Sequence, residues 1–593
     1  MLHRTLPRGL QAKATHFGSA PLVARAAFAL CLACSGPTPA RPTVEVSASS
    51  ATRSASEQRP PPPPAKTVEV FAVAAENSHA VDAARAVLVE GGSAADATIA
   101  GILVGCAAHA SSCGLGGGGA ALLFDAASSR TRALDFRETA PVGLKRNDHI
   151  GAPESAKRGV AVGVPGLAAG LRALHRLAGK LEWRRLTEIA ALKVEGGLEL
   201  SPYMAQALVW NQAWLANEPD HQVLGPDNAS DSVGKKFFNP PLAATLRALG
   251  EGERAFYEGP IAAEVVRAAK TYGSRLALTD LQAYAAIERE PVAIDYGGFT
   301  IASMPPTSAG GVIMLAMLNM LPPSELASLE PASGAFLHVL AEGLRATYAE
   351  RATTIGDPDF TKSDFTALFD RQRMAERRAA IDLKKTRMPK LPSVSESGTF
   401  SIVVADSAGN VVSLSASLTS MFGAKIITKG GFVLNDALSE FSMDDYGMRA
   451  FTRGPNFPRG RARPVSNLVP TIVTKDGRAT LGVSASGGLR GTTGLTQVLL
   501  AHLGRAESLS EAIAKARIHV NAGGAIRLEE GLMDLVADLT SRGETVERSP
   551  ISFSAVTGIA INRSEAGSTF TPVFDTRKGG AVSVEKAPAN VTE

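Results

Sequence analysis

Glu396-Ser397-Gly398-Thr399-Phe400-Ser401-Ile402-Val403-Val404-Ala405-Asp406 is the stretch on which the reading of this chain turns. From Thr399 onward the run is apolar and rich in β-branched residues, which predicts a strand. Ser407-Ala408-Gly409 then supplies a turn before a second strand over residues 410–417. A three-residue loop with Gly409 in the left-handed conformation closes such a hairpin. Centring it on Ala408 sets Thr399 opposite Ser417, with Cβ atoms roughly 4.5–5.5 Å apart, so two hydroxyls meet at its open end. Alternation keeps Ser401 on the Thr399 face and turns Phe400 to the other.

Thr399 has a plain reading, an edge-strand residue, and a chemical one. If the backbone is cut before it, the new N-terminal residue carries a hydroxyl nucleophile and an α-amine base together. That amine titrates at about 7.7–8.0, close to the pH at which a general base has to work. These residues alone favour the plain reading; the rest of the chain reverses the choice.

The chain has 593 residues, 45% of them hydrophobic, enough to bury a large core, and its net charge of +4 makes no case for nucleic acid. No run reaches the roughly 18 apolar residues of a spanning helix. Residues 1–34 read as a leader: Arg4, Arg8, Lys13 and Arg25 precede a short apolar stretch. Leu32-Ala33-Cys34-Ser35 resembles a bacterial lipoprotein cleavage site, with Cys34 as the acylated residue. The chain is therefore expected to be exported, either periplasmic or anchored to a membrane through Cys34. Residues 35–67, with Pro60 to Pro64 in a row, lack apolar periodicity and read as a solvated tether. Beyond the leader only Cys106 and Cys113 remain, and the reading leaves them unpaired as small core residues.

A strand over residues 68–74 and helices over 83–90 and 93–106 precede Gly114-Leu115-Gly116-Gly117-Gly118-Gly119. That segment satisfies a dinucleotide fingerprint literally, but a strand follows it where a helix should open, so close backbone approach is the better explanation. Arg137, in Asp135-Phe136-Arg137-Glu138, is either an ordinary surface arginine or a guanidinium fork that grips a carboxylate. Gly487-Gly488 precede a helix expected over residues 494–503, where amide N–H groups stand free, although these residues alone favour a plain Gly-Gly turn. No cofactor or metal is expected: no metal-ligand spacing, Gly-x-Ser-x-Gly elbow or Walker sequence occurs.

Blocks along the whole body resemble the gamma-glutamyltransferase (gamma-glutamyl transpeptidase) family of N-terminal nucleophile hydrolases. They include Glu90-Gly91-Gly92-Ser93-Ala94-Ala95-Asp96-Ala97, Asp135-Phe136-Arg137-Glu138 and Met304-Pro305-Pro306-Thr307-Ser308-Ala309-Gly310-Gly311. Gly356-Asp357-Pro358-Asp359-Phe360, Ser486-Gly487-Gly488 and Asp575-Thr576-Arg577-Lys578-Gly579-Gly580 continue the series. The resemblance implies an α+β fold in four αββα layers. It also implies a precursor that cuts itself between Gly398 and Thr399 into a large subunit, 68–398, and a small one, 399–593, which stay together as a heterodimer.

By the same resemblance Thr399 is the nucleophile, Ser417 stands for a second threonine, and Gly487 and Gly488 form the oxyanion hole. Arg137, Ser466 and Asn467 hold a substrate carboxylate. Thr419 and Glu440 stand where the family binds the α-amino group with asparagine and aspartate, and Ala437 replaces an amide-bearing glutamine. The implied substrates are a γ-glutamyl donor such as glutathione, with water, an amino acid or a peptide as acceptor. Three readings stay open: that hydrolase/transferase, an acylase or poly-γ-glutamate amidohydrolase with a changed acyl pocket, and a processing-dead lipoprotein used for binding or as a scaffold.

Overall fold

The structure, a computed structural model, describes residues 67–145, 148, 158–252, 254–331, 333–362, 364–387, 398–442, 454–549, 554–564 and 567–588. The leader, Cys34 and nearly all of the tether lie outside these residues, as do residues 443–453 of the loop that precedes Arg463.

Two mainly antiparallel sheets stack face to face. Their strands are β1 (Thr67–Ala75), β2 (Gly118–Asp125), β3 (Arg130–Phe136), β4 (Ile287–Arg289), β5 (Val292–Tyr296), β6 (Phe299–Ser303), β7 (Thr399–Ala405), β8 (Val411–Ser417), β9 (Thr471–Lys475), β10 (Arg478–Ser486), β11 (Ala555–Ser564), β12 (Gly567–Val573) and β13 (Ala581–Pro588). One sheet runs β13-β1-β7-β8-β2-β3-β4 and the other β12-β11-β10-β9-β6-β5. Ala74, Leu122, Val403 and Val411 from the first sheet meet Ile472, Ala479 and Ile559 from the second in a dry layer between them. The outer face of the first sheet is covered by α1 (Ser78–Val89), α2 (Ala94–Ala108), α3 (Leu167–Ala178) and α4 (Trp183–Glu195). The outer face of the second is covered by α5 (Ala309–Met320), α6 (Gly334–Thr354) and α7 (Leu489–Leu499). This is the four-layer αββα arrangement.

The hairpin carrying Thr399 lies in the middle of its sheet, with β7 and β8 buried on both faces. Such strands read as continuous apolar runs because neither face meets water. Odd residues from Thr399 to Ala405 face the other sheet, where Val403 and Ala405 join the dry layer. Phe400 and Ile402 face α2. That helix, capped by reciprocal Ser93 and Asp96 bonds, comes very close. A Cβ on Gly101 would stand 2.6 Å from Ile402 Cδ1, and one on Gly105 2.6 Å from Phe400 Cζ. The run of glycines before β2 also serves close approach: a Cβ on Gly116 would meet Val433 O at 2.1 Å and one on Gly117 would meet Ser417 O at 2.3 Å.

Two expectations need correcting. Cys106 and Cys113 are bonded to each other, S–S 2.01 Å, with Cα atoms 4.9 Å apart. The reason is local: α2 ends at Ala108, and Ser112 and Cys113 both donate to His109 O, folding the chain back onto the last turn of the helix. The helix after Gly488 starts at Leu489, not near residue 494, and ends in a wider π turn over Leu500–Gly504. Glycine lowers helix propensity, yet a Cβ on Gly494 would stand 2.2 Å from Ser554 Oγ, so packing selects glycine inside the helix. Among the described residues no helix is long and apolar enough to cross a membrane.

Candidate active site

The hairpin register is the one the turn implies: Thr399 pairs with Ser417, and Gly409 has φ 89°. Around the Gly398–Thr399 peptide the geometry is tight. Ser417 Oγ donates to Gly398 O at 2.5 Å, and Leu418 N donates to the same oxygen at 3.3 Å. Thr419 N in turn donates to Ser417 Oγ at 2.9 Å, which orients the hydroxyl. Gly398 itself has φ 89°, and a Cβ there would lie 2.6 Å from the carbonyl oxygens of both Thr419 and Ser420. Glycine is the residue that fits this conformation and this space. One peptide carbonyl is thus gripped by two donors, next to a buried threonine hydroxyl.

The second sheet brings the other half of the site. Ser484 Oγ donates to Ser401 Oγ at 3.2 Å, so β10 runs alongside β7, and two residues further on Ser486 stands beside Thr399. β10 ends there, and Gly487 (φ 111°) and Gly488 (φ 61°) lead directly into α7, with Gly488 as its N-cap. The first amides of a helix have no intrahelical acceptor and carry the positive end of its dipole, so a negative oxygen above Thr399 would meet them.

Arg137 follows β3 and is buried. Its Nη1 donates to Thr419 Oγ1 at 3.0 Å and to Glu138 Oε2 at 3.1 Å, and its Nε to Pro464 O at 3.3 Å. Arg137 thereby meets Thr419 and the Pro464 end of the segment that carries Ser466 and Asn467. Thr419 has φ 81°, a conformation that β-branched residues rarely adopt; its bonds to Arg137 and Ser417 hold it there. Glu138 is fully buried, and desolvation pushes its carboxyl up against the opposing pull of Arg137. Asp436, which accepts from Ser420 N at 2.9 Å, is likewise pushed up by burial. Ser466 is tied by its backbone to Thr307 and Ala309. Asn467 Oδ1 is buried with no hydrogen-bond partner among the described residues.

Glu440 behaves differently. It sits 3.8 Å from Arg351 Nη2 on α6, both side chains being buried. Its charge is thereby partly matched within the protein, which weakens it as a partner for a substrate ammonium. Ala437 offers no side-chain polar atom, and its amide is already given to Asn435 Oδ1 at 3.0 Å.

A cavity of about 830 Å³ opens at Thr399, lined by Glu76, Tyr203, Arg490, Gly487 and Lys578 among others, and not by Arg137, Thr419, Glu440 or Ser466. Lys578 is its centre. The ammonium donates to Thr399 O, pairs with Glu76 Oε2 at 2.6 Å and lies 4.6 Å from the centre of the Tyr203 ring. Sequence reasoning quoted the block 575–580 but gave Lys578 no part, and it passed over Glu76 entirely. The place of Lys578 in that block, a cation beside Gly579 and Gly580, was the available signal.

Residues 80–585 match the family model described as Gamma-glutamyltranspeptidase. The chain is 29% identical over 527 residues to the glutathione hydrolase proenzyme of Bacillus subtilis (strain 168), covering 84% of this chain and 88% of that one. It is 30% identical over 495 residues to the acylase ACY 1 proenzyme of Pseudomonas sp. (strain V22), covering 80% and 87%. The crystal structure of cephalosporin acylase from Bacillus halodurans has the same fold, with a TM-score of 0.76 at 21% identity over 89% of this chain and 98% of that one.

Proposed function

The chain belongs to the gamma-glutamyltranspeptidase family of enzymes, and from that premise we propose that it cuts itself between Gly398 and Thr399 and then works through the new N-terminal threonine. The observation that carries the reading is the double grip of Ser417 Oγ and Leu418 N–H on the Gly398 carbonyl oxygen. Attack by Thr399 Oγ on that carbon puts negative charge on an oxygen that already has two donors. The C–N bond then breaks, the acyl group passes to Oγ as an ester, and water releases the Gly398 carboxylate together with the free Thr399 amine.

In turnover the amine takes the Oγ proton as Oγ attacks the γ-amide carbon of a γ-glutamyl donor such as glutathione. Gly487 and Gly488 N–H groups receive the developing oxyanion, a contribution typically worth about 10²–10³ in rate per donor. The proton passes to the leaving amine, and water or an amino acid then attacks the acyl-enzyme. Arg137, with Ser466 and Asn467, holds the donor carboxylate, while Thr419 and Glu440 stand at its α-amino end. The large part, 68–398, and the small part, 399–593, remain together because strands from both share each sheet. The Cys106–Cys113 disulfide suits an exported protein, with residues 1–34 as leader and Cys34 as lipid anchor.

One denaturing gel with N-terminal sequencing tests the core of this. Two fragments are expected, the smaller beginning Thr-Phe-Ser, and Thr399→Ala should abolish both cleavage and turnover. An intact chain with full activity would refute the mechanism, and an intact, inactive one would favour a binding or scaffold role. Intact mass of the exported protein reports acylation of Cys34.

A second reading, an acylase acting on side chains without an α-amino group, is favoured by the Arg351–Glu440 pair and by Ala437. Comparing γ-glutamyl-p-nitroanilide with glutaryl-p-nitroanilide separates the two. A preference for the glutaryl compound selects the acylase.

A further inference from the structure

Lys578 has no part in the mechanism above, yet it holds the backbone of the nucleophile. Besides the Thr399 carbonyl it reaches Ser486 Oγ at 3.3 Å and Glu76 Oε2 at 2.6 Å, and both charged side chains are buried. Removing two ions from water costs several kcal/mol each before their attraction is counted. Water could satisfy a single strand-end carbonyl without that cost.

Strand pairing decides which way the Thr399 nitrogen faces. In the hairpin Asp406 N donates to Asn410 O, and Leu418 N donates to Gly398 O. Antiparallel pairs alternate, so Thr399–Ser417 is a pair whose N–H and C=O groups turn away from β8. They turn toward the edge where β1 has ended at Ala75 and where Glu76 and Lys578 stand. Nitrogen and oxygen of one extended residue share an edge, so backbone dimensions put the nitrogen within about 5 Å of the Lys578 ammonium that the carbonyl holds.

We propose that Lys578, oriented by Glu76, is a positioning residue that keeps the freed Thr399 α-amine unprotonated at neutral pH, ready to take the hydroxyl proton. This rests on Thr399 being the N-terminal nucleophile. A like charge at that range disfavours the protonated amine. Lys578 remains the cation of its pair: burial pulls it down, but Glu76 and Tyr203 together outweigh burial and hold it above the ordinary lysine range. Glu76 is raised by burial against the pull of Lys578. Other groups on the cavity walls are Tyr203, Glu199, Arg490 and Arg577, the last held by Glu529 and Asp575. His109, behind Phe400, is pushed well down by burial and carries no charge. Arg137 and Glu138 gather at Thr419, past the end of β8, with Asp436 bonded to the next residue, Ser420.

The test needs no substrate. In the processed full-length protein, reductive methylation of the small fragment's N-terminal amine across a pH series, read by peptide mass, reports its titration directly. The wild-type amine should titrate below the usual value of about 7.7–8.0. Lys578→Met should raise it by about one unit, and Lys578→Arg should leave it within a few tenths, with the acidic limb of kcat/KM moving in parallel. A wild-type amine at or above about 8, or no rise in Lys578→Met, overturns the proposal while leaving the nucleophile intact. If Lys578→Met fails to cleave, the wild-type value decides. Absence of any fragment beginning at Thr399 removes the mechanism and this proposal together.

Discussion

Replacing Ser417 with alanine removes the closer of the two donors on the Gly398 carbonyl, at 2.5 Å, and leaves Leu418 N–H at 3.3 Å. As the carbonyl oxygen becomes an oxyanion the lost bond is charge-assisted, worth about 1.5–3 kcal/mol. At about 1.4 kcal/mol per decade, self-cleavage should slow by roughly 10- to 150-fold. The same change orphans the Thr419 amide, which donates to Ser417 Oγ at 2.9 Å in a buried setting. That adds about 1–3 kcal/mol of global destabilisation, which would appear in thermal melts and must be measured separately. The assay follows the intact chain over time by gel densitometry after a synchronised start, in wild type, Ser417→Ala and Ser417→Thr. The threonine variant keeps the hydroxyl and should process within a few-fold of wild type. Processing of Ser417→Ala at the wild-type rate, in protein whose melt is shifted as expected, would refute the claim that this hydroxyl stabilises the cleavage transition state.

Arg137→Lys keeps the charge but loses the planar fork that spans Thr419, Glu138 and Pro464; KM for a γ-glutamyl donor should rise about 10- to 100-fold with a smaller change in kcat, read from steady-state kinetics. Gly105→Ala places a Cβ 2.6 Å from Phe400 Cζ beneath the nucleophile strand, so it should destabilise by about 1–3 kcal/mol, measured by chemical denaturation. His338 is fully buried and bonded to Glu544 Oε1 at 2.6 Å and to Asp382 O at 2.9 Å, beside the Arg345–Glu544 pair. Burial pulls its pKa down, but the bonds to Glu544 and Asp382 and the charges of Glu544 and Glu342 together outweigh this and raise it above the ordinary value. A folded-state pKa above the unfolded one gives stability that is complete below about 6.5 and lost as pH rises through the raised value. Melting temperature should therefore fall over that window in wild type, and the slope should flatten in His338→Gln.

Much of the site was readable before any coordinates because it rests on local rules. A three-residue turn with glycine at Gly409 sets the hairpin register, and register alone places Thr399 against Ser417. Alternation along β7 put Ser401 on the Thr399 face and Phe400 on the other, and the fold turns Phe400 toward α2 and Ser401 toward the second sheet. The clamp around Arg137 was reached by likeness to a family, not by pattern, and the contact with Thr419 gives it geometry.

By itself the amino-acid sequence determined the strands, the turn, the glycine approaches and the pairing of two hydroxyls, because each depends on residues a few places apart or on a period of two. Tertiary structure alone decided the rest. Lys578 meets Thr399 across 179 positions, and Glu440 meets Arg351 of α6. Such contacts leave no periodic trace, since the free energy of a buried charge or a close approach depends on which distant side chain arrives beside it. The pairing of two hydroxyls at the head of β7 was written along the strand; the charges that stand around Thr399 were assembled by the fold.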